Sequence, residues 1–89
     1  NPKLTTSYEL TKQIVTLDAN VTLSKPQSPQ DLLAKYREII NKKYLWQMDI
    51  IDIFEDPRNK IFRYTFRVAY YNTDDKTAKS EHLKAFNLT

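Results

Sequence analysis

The sequence predicts an α+β domain: an antiparallel sheet with both helices on one face. Three observations predict it. Ile61–Tyr71 (IFRYTFRVAYY) alternates large apolar residues with Arg63 and Arg67, the period-two pattern of a strand buried on one side. Val15, Leu17, Ala19, Val21 and Leu23 alternate in the same way with Ile14, Thr16, Asp18, Asn20 and Thr22. Between these runs, Leu32, Leu33, Tyr36, Ile39 and Ile40 recur at helical spacing. Strands that bury one face need cover on that face only, so the other face stays open.

The elements follow in order. Asn1 to Thr6 reads as a flexible lead-in, and Tyr8 to Leu23 as the first strand region. After a loop from Ser24 to Gln27, Ser28 is placed to cap a helix. Pro29 takes its first position and Asp31 follows three residues after the serine, close to a capping box. Lys35, Arg37, Glu38, Lys42 and Lys43 then face solvent, and the closing lysines suit a helix C-terminus.

The second strand is expected from Leu45 to Phe54. Trp46, Met48, Ile50 and Phe54 share its core face, with Asp52 the odd member, and Gln47, Asp49, Ile51 and Ile53 share the other. Glu55 to Lys60 (EDPRNK) is a hairpin connection with Pro57 and Asn59 as turn formers. A polar loop follows the third strand. A short helix is expected from Thr77 to about Phe86, with Ala78, His82, Ala85 and Phe86 on its better face and Leu83 fitting it less well. The order strand, helix, strand, strand, helix is a ferredoxin-like split βαβ fold whose fourth strand is missing or atypical. At 89 residues, the chain reads as one domain, 1–89, cut from a larger protein.

Composition removes several kinds of function. Without glycine, neither a phosphate-binding loop nor a dinucleotide fingerprint can form, and left-handed turn positions fall to Asn or Asp. Without cysteine, disulfides and His/Cys metal clusters are excluded. No cofactor or metal is therefore expected. The net charge of +3 permits an acidic partner without requiring one. Neither half carries a dense basic run. No apolar stretch reaches the roughly 18 residues of a membrane span, and no membrane partner is expected.

On the third strand, Phe62, Tyr64, Phe66, Val68 and Tyr70 face the helices. Ile61, Arg63, Thr65, Arg67, Ala69 and Tyr71 line the open face. The first strand adds Thr16, Asp18, Asn20 and Thr22 to that face; the second adds Gln47 and Asp49. Arginine pairs with phosphate or stacks on a base, and Tyr71 can stack as well, so this face can meet single-stranded nucleic acid. A plainer account of the two arginines is open too: a solvated sheet face is polar whatever its role, and Arg63 and Arg67 can pair with Asp49 or Asp18 across strands. The expected pattern lacks an aromatic pair on adjacent strands, the mark of the commonest single-stranded RNA module.

Ile50 to Thr77 (IIDIFEDPRNKIFRYTFRVAYYNTDDKT) carries a longer pattern. Asp52 and Phe54 form an Asp-x-aromatic signature at the end of the second strand, and Pro57 lies in the hairpin. Tyr64, Arg67 and Tyr70 mark the next strand, and Thr77 opens the last helix. This stretch resembles the ferredoxin-fold anticodon-binding domain of phenylalanyl-tRNA synthetases, of the bacterial β chain or the single-chain organellar enzyme. Upstream, Tyr8 matches the family's aromatic, while Glu9 stands in place of its proline and Lys12-Gln13 in place of its Arg-Asp. Ala78 replaces its usual leucine. The resemblance implies a domain that does no chemistry. It would hold the anticodon region of tRNA, in the cytoplasm, while a catalytic core elsewhere in the parent chain or a partner subunit joins phenylalanine to tRNA. The implied RNA contacts are Arg63, Arg67, Tyr71, Lys12 and Gln47; Asp52 and Tyr64 would be structural.

Nothing in the pattern points to catalysis. His82 is the only histidine and reads as a helix-surface or half-buried residue. Asp49 and Asp52 point oppositely on a regular strand, so no carboxylate pair converges for acid–base work. Trp46 and Met48 alternate as core residues do. The sequons at Asn20 and Asn87 matter only in an exported chain. The alternative to RNA binding is a protein-interaction domain that dimerises, or takes a strand from another chain, at an uncovered sheet edge.

Overall fold

A computed structural model describes residues 14–86. The lead-in, the early part of the expected first strand with Tyr8, Glu9 and Lys12, and the Asn87 sequon lie outside the described residues. Three strands and two helices run in the order β1 (Ile14–Leu23), α1 (Pro29–Ile39), β2 (Leu45–Asp56), β3 (Ile61–Tyr71) and α2 (Asp75–Phe86). The sheet order is β1-β3-β2, with β3 antiparallel to both neighbours. β1 and β2 are therefore parallel to one another and form the two edges of the described sheet.

β3 holds the centre because its inward residues carry the bulk of the core. Phe62, Tyr64, Phe66, Val68 and Tyr70 are all buried, whereas Arg63, Arg67 and Tyr71 are exposed. Val15 and Ala19 of β1 are buried on the same side. Leu32, Tyr36 and Ile40 of the first helical segment and Ala78, His82, Ala85 and Phe86 of α2 close over it. Tyr36 stacks on Phe86 at 4.6 Å between centroids and meets Phe66 edge-on at 5.2 Å. Each such side chain contributes about 1.5–3 kcal/mol by leaving water, and aromatic contact adds about 0.5–1.5 kcal/mol per pair.

The helix ends depart from expectation in detail. Ser28 has the extended backbone of an N-cap, but its side chain makes no capping hydrogen bond. Ile39 was expected in the apolar stripe and is instead 50% exposed. The helix stops there, and Ile40 leaves the helical path to reach the core, so one isoleucine suffices. α2 begins at Asp75, not Thr77. The Asp74 carboxylate accepts the Thr77 backbone N–H at 2.7 Å and so caps this helix in the threonine's stead.

β2 differs most from its expected reading. Its register against β3 shifts between Leu45 and Gln47 and again between Ile50 and Asp52. Trp46 and Ile51 are the extra residues, and a β-bulge reassigns the faces of the residues beyond it. Trp46, expected in the core, is 56% exposed. Phe54 faces the open side opposite Arg63, and Ile53 pairs with inward-facing Tyr64. Asp49 and Asp52 now lie on one face, opposite Arg67 and Thr65. The hairpin turns through a short 3-10 segment, Pro57–Asn59, in which Asp56 accepts from both the backbone and the side chain of Asn59. The left-handed positions are Lys60 and Asn72, at φ 57° and 62°. Asparagine takes one of them as expected; lysine takes the other.

Candidate functional site

The open face of the sheet is built from alternating residues of all three strands. Its rows are set by register: Ile14 with Tyr71, Thr16 with Ala69, Asp18 with Arg67, Asn20 with Thr65 and Thr22 with Arg63. Gln47, Asp49, Asp52 and Phe54 extend these rows across β2.

The centre is a carboxylate–guanidinium fork. Arg67 donates from Nε and Nη2 to the two oxygens of Asp18 at 3.0 and 3.1 Å. These hydrogen bonds hold the Asp18 carboxyl below the usual carboxylate range. Both side chains are about half exposed, so the pair orients more than it stabilises. Asp49 lies across from Arg67 on β2 and accepts from Gln47 Nε2 at 2.9 Å. One row away, the Thr65 hydroxyl donates to Asn20 Oδ1 at 2.6 Å. The sequon side chain of Asn20 is thus part of the sheet's own polar network.

The two ends of the face are aromatic. At one end the Trp46 and Tyr71 rings lie 6.4 Å apart on adjacent strands. This is the feature expected to be absent, and the bulge at Trp46 supplies it. Beside it a depression of about 270 Å³ is lined by Ile14, Thr16, Trp46, Gln47, Asp49, Arg67 and Ala69. At the other end the Arg63 guanidinium lies 4.8 Å from the centre of the Phe54 ring, a cation–π contact. The two arginines therefore differ: Arg67 is held by a carboxylate, while Arg63 rests on an aromatic ring.

Of the residues expected to contact RNA, Arg63, Arg67, Tyr71 and Gln47 share this face. Lys12 lies outside the described residues. Sequence reasoning missed Trp46 and Phe54. A regular strand period assigned both to the core, and nothing in the composition of β2 marks its two bulges. Tyr64 is buried, and its hydroxyl donates to the Gln27 carbonyl and accepts from the Gln27 N–H, both at 2.9 Å. It fastens the loop between β1 and α1 to the sheet.

His82 is buried at 4% exposure, deeper than expected. Its Nε2 lies 2.9 Å from the backbone carbonyl of Asp18, and its Nδ1 lies 2.7 Å from the Tyr70 hydroxyl. A carbonyl only accepts, so Nε2 carries the proton and Tyr70 donates to Nδ1. Burial pushes the imidazole pKa down and the Tyr70 phenol up. With both ring nitrogens occupied in the core, His82 is a structural residue.

Among the described residues, no group of three His, Asp or Glu side chains gathers to hold a metal. No described helix is long and apolar enough to cross a membrane. No family model matches the chain, and no curated protein matches it.

Proposed function

We propose that this chain is a non-catalytic RNA-binding domain whose open sheet face holds an unpaired segment of tRNA, the anticodon region, within a cytoplasmic phenylalanyl-tRNA synthetase. The observation that carries the reading is the Trp46–Tyr71 pair on adjacent strands of a solvent-facing sheet. Exposed aromatic rings in such a place are a stacking platform for splayed bases. Arg63 supplies a cation at the far end of the same face for the backbone. The order β1-β3-β2 with α1 joining the two edge strands supports reading the fold as a ferredoxin-like split βαβ unit. It supports the likeness carried by Asp52, Phe54, Tyr64, Arg67 and Tyr70.

Two features oppose strand addition as the primary role. The β2 edge is interrupted by two shifts of register, and bulges protect edges from pairing. On the β1 edge the carbonyl of Asp18 is already taken by His82.

Fluorescence anisotropy of labelled total tRNA with the purified domain, at low and moderate salt, tests the proposal. Binding should weaken as salt rises, because phosphate contacts release counterions. The double variant W46A/R63E should bind at least about tenfold more weakly, from one lost stack and one lost cation. Binding that is indifferent to both substitutions would remove the open face from the reading. Size-exclusion chromatography of the same sample reports a concentration-dependent dimer, the outcome that would favour the interaction domain.

A further inference from the structure

The open face offers two different kinds of contact, set far apart along one strand. Tyr71 closes β3 and stands beside Trp46, their rings 6.4 Å apart. Arg63 lies eight positions earlier on the same strand and face, its guanidinium over the Phe54 ring. A strand rises about 3.4 Å per residue, so the two places are about 27 Å apart. Among the described residues Arg63 has no ion pair, which leaves its charge to a phosphate. The rows between carry Asp18, Asp49 and Asp52 against the single guanidinium of Arg67. No net positive charge therefore lies between the two ends.

We infer that the RNA segment held here is an unpaired run of about four to eight nucleotides lying along β3, with bases stacked at the Trp46–Tyr71 end and a phosphate on Arg63. The inference rests on the RNA-binding reading above and adds the length and direction of the segment. A stacked strand advances about 3.4 Å per nucleotide, so about eight nucleotides span the gap. A splayed strand is more extended and needs fewer, down to the ~4 nucleotides of the smallest single-strand sites. A stacked trinucleotide covers only about 10 Å and reaches one end alone. Charges separated by more than about 8 Å in physiological salt are largely screened. A short ligand seated on the aromatic pair is therefore indifferent to Arg63, and a long one is held by it.

Trp46 is the only tryptophan, so quenching of its fluorescence reports ligands seated at the aromatic end. Oligouridines of roughly two to ten nucleotides, bracketing the inferred length, are titrated into the wild type and Arg63→Glu. The substitution should leave di- and trinucleotide affinities within about twofold of wild type. It should weaken the octamer and longer chains by about fivefold or more, as one phosphate contact turns repulsive. Arg63→Lys keeps the charge and should hold the octamer near its wild-type affinity. A loss of equal size at every length, or no loss at the octamer, overturns the inference. If Arg63→Lys loses the octamer as fully as Arg63→Glu, the effect is not one of charge and the inference falls. Labelled tRNA is followed by anisotropy with the same variants and with Trp46→Ala. If tRNA binds in a salt-dependent way and Trp46→Ala weakens it while the oligouridines show no step with length, the span falls and the RNA-binding reading stands. If no RNA binds, both fall.

Discussion

His82 shows how one residue can be fixed by burial and hydrogen bonding together. Its ring bridges Asp18 of β1 and Tyr70 of β3, and Phe86 packs at 4.9 Å. The core accommodates the neutral ring, because a charge there would lose hydration and its second proton would displace the Tyr70 hydroxyl hydrogen. The folded-state pKa therefore lies below the ordinary value of 6.5. Above that ordinary value both states are neutral, and the full stability is present. As pH falls below it, the unfolded chain binds a proton that the folded chain refuses. Stability then declines until the folded pKa is passed. Urea midpoints should drop as pH falls below about 6.5, and His82→Gln should flatten that drop. Asp18 adds a separate loss at lower pH: its depressed pKa contributes stability only while the carboxylate is ionised.

The β2–β3 hairpin is the element with the clearest local strain. The 3-10 segment Pro57–Asn59 returns the chain so tightly that Lys60 sits in the left-handed region, its N–H bonded to the Pro57 carbonyl at 3.2 Å. A side chain with a Cβ costs about 1–2 kcal/mol there, and no glycine is present to relieve it. Lys60→Gly should raise unfolding stability by about 1 kcal/mol, part of the relief being offset by the freer unfolded chain. Chemical denaturation measures this directly, and an unchanged or lowered stability would show that the strain is relieved elsewhere. The same hairpin carries the bulge at Ile51, so its turn and its twist together present Phe54 and Arg63 on the open face.

Across the described residues, one layer of helices covers one side of a three-stranded sheet, so the buried apolar side chains form a single cluster. Phe66 is fully buried and touches the rings of both helices through Tyr36 and Phe86. Phe66→Ala should cost about 3–5 kcal/mol, a large share of the ~5–15 kcal/mol available to a domain. Near-ultraviolet circular dichroism should then show most of the tertiary signal lost at ambient temperature. The opposite face has no such share in stability. Its Asp18–Arg67 fork and its aromatic ends are exposed, so substitutions there are read in binding and leave the fold in place.

The period-two alternation of Ile14–Leu23 and Ile61–Tyr71 determined by itself the two layers, the inward residues and the polar open face. Burial is decided side chain by side chain in a regular strand, so the pattern of residue types carries it. Arg63, Arg67, Tyr71 and Gln47 were legible on that face for the same reason. Only the tertiary structure decided where Trp46 and Phe54 go. A bulge inserts one residue without a compositional mark, and its position depends on how β2 must twist to follow β3 under α1. The first shift puts Trp46 itself in solvent and leaves Gln47 to Ile50 on their expected faces; the second exchanges the faces of Asp52, Ile53 and Phe54, so Phe54, assigned to the core, arrives on the open side. The helical spacing placed His82 on the better face of α2, but not its hydrogen bonds, because its two partners lie 12 and 64 positions away along the chain and meet it only once the sheet has closed beneath α2.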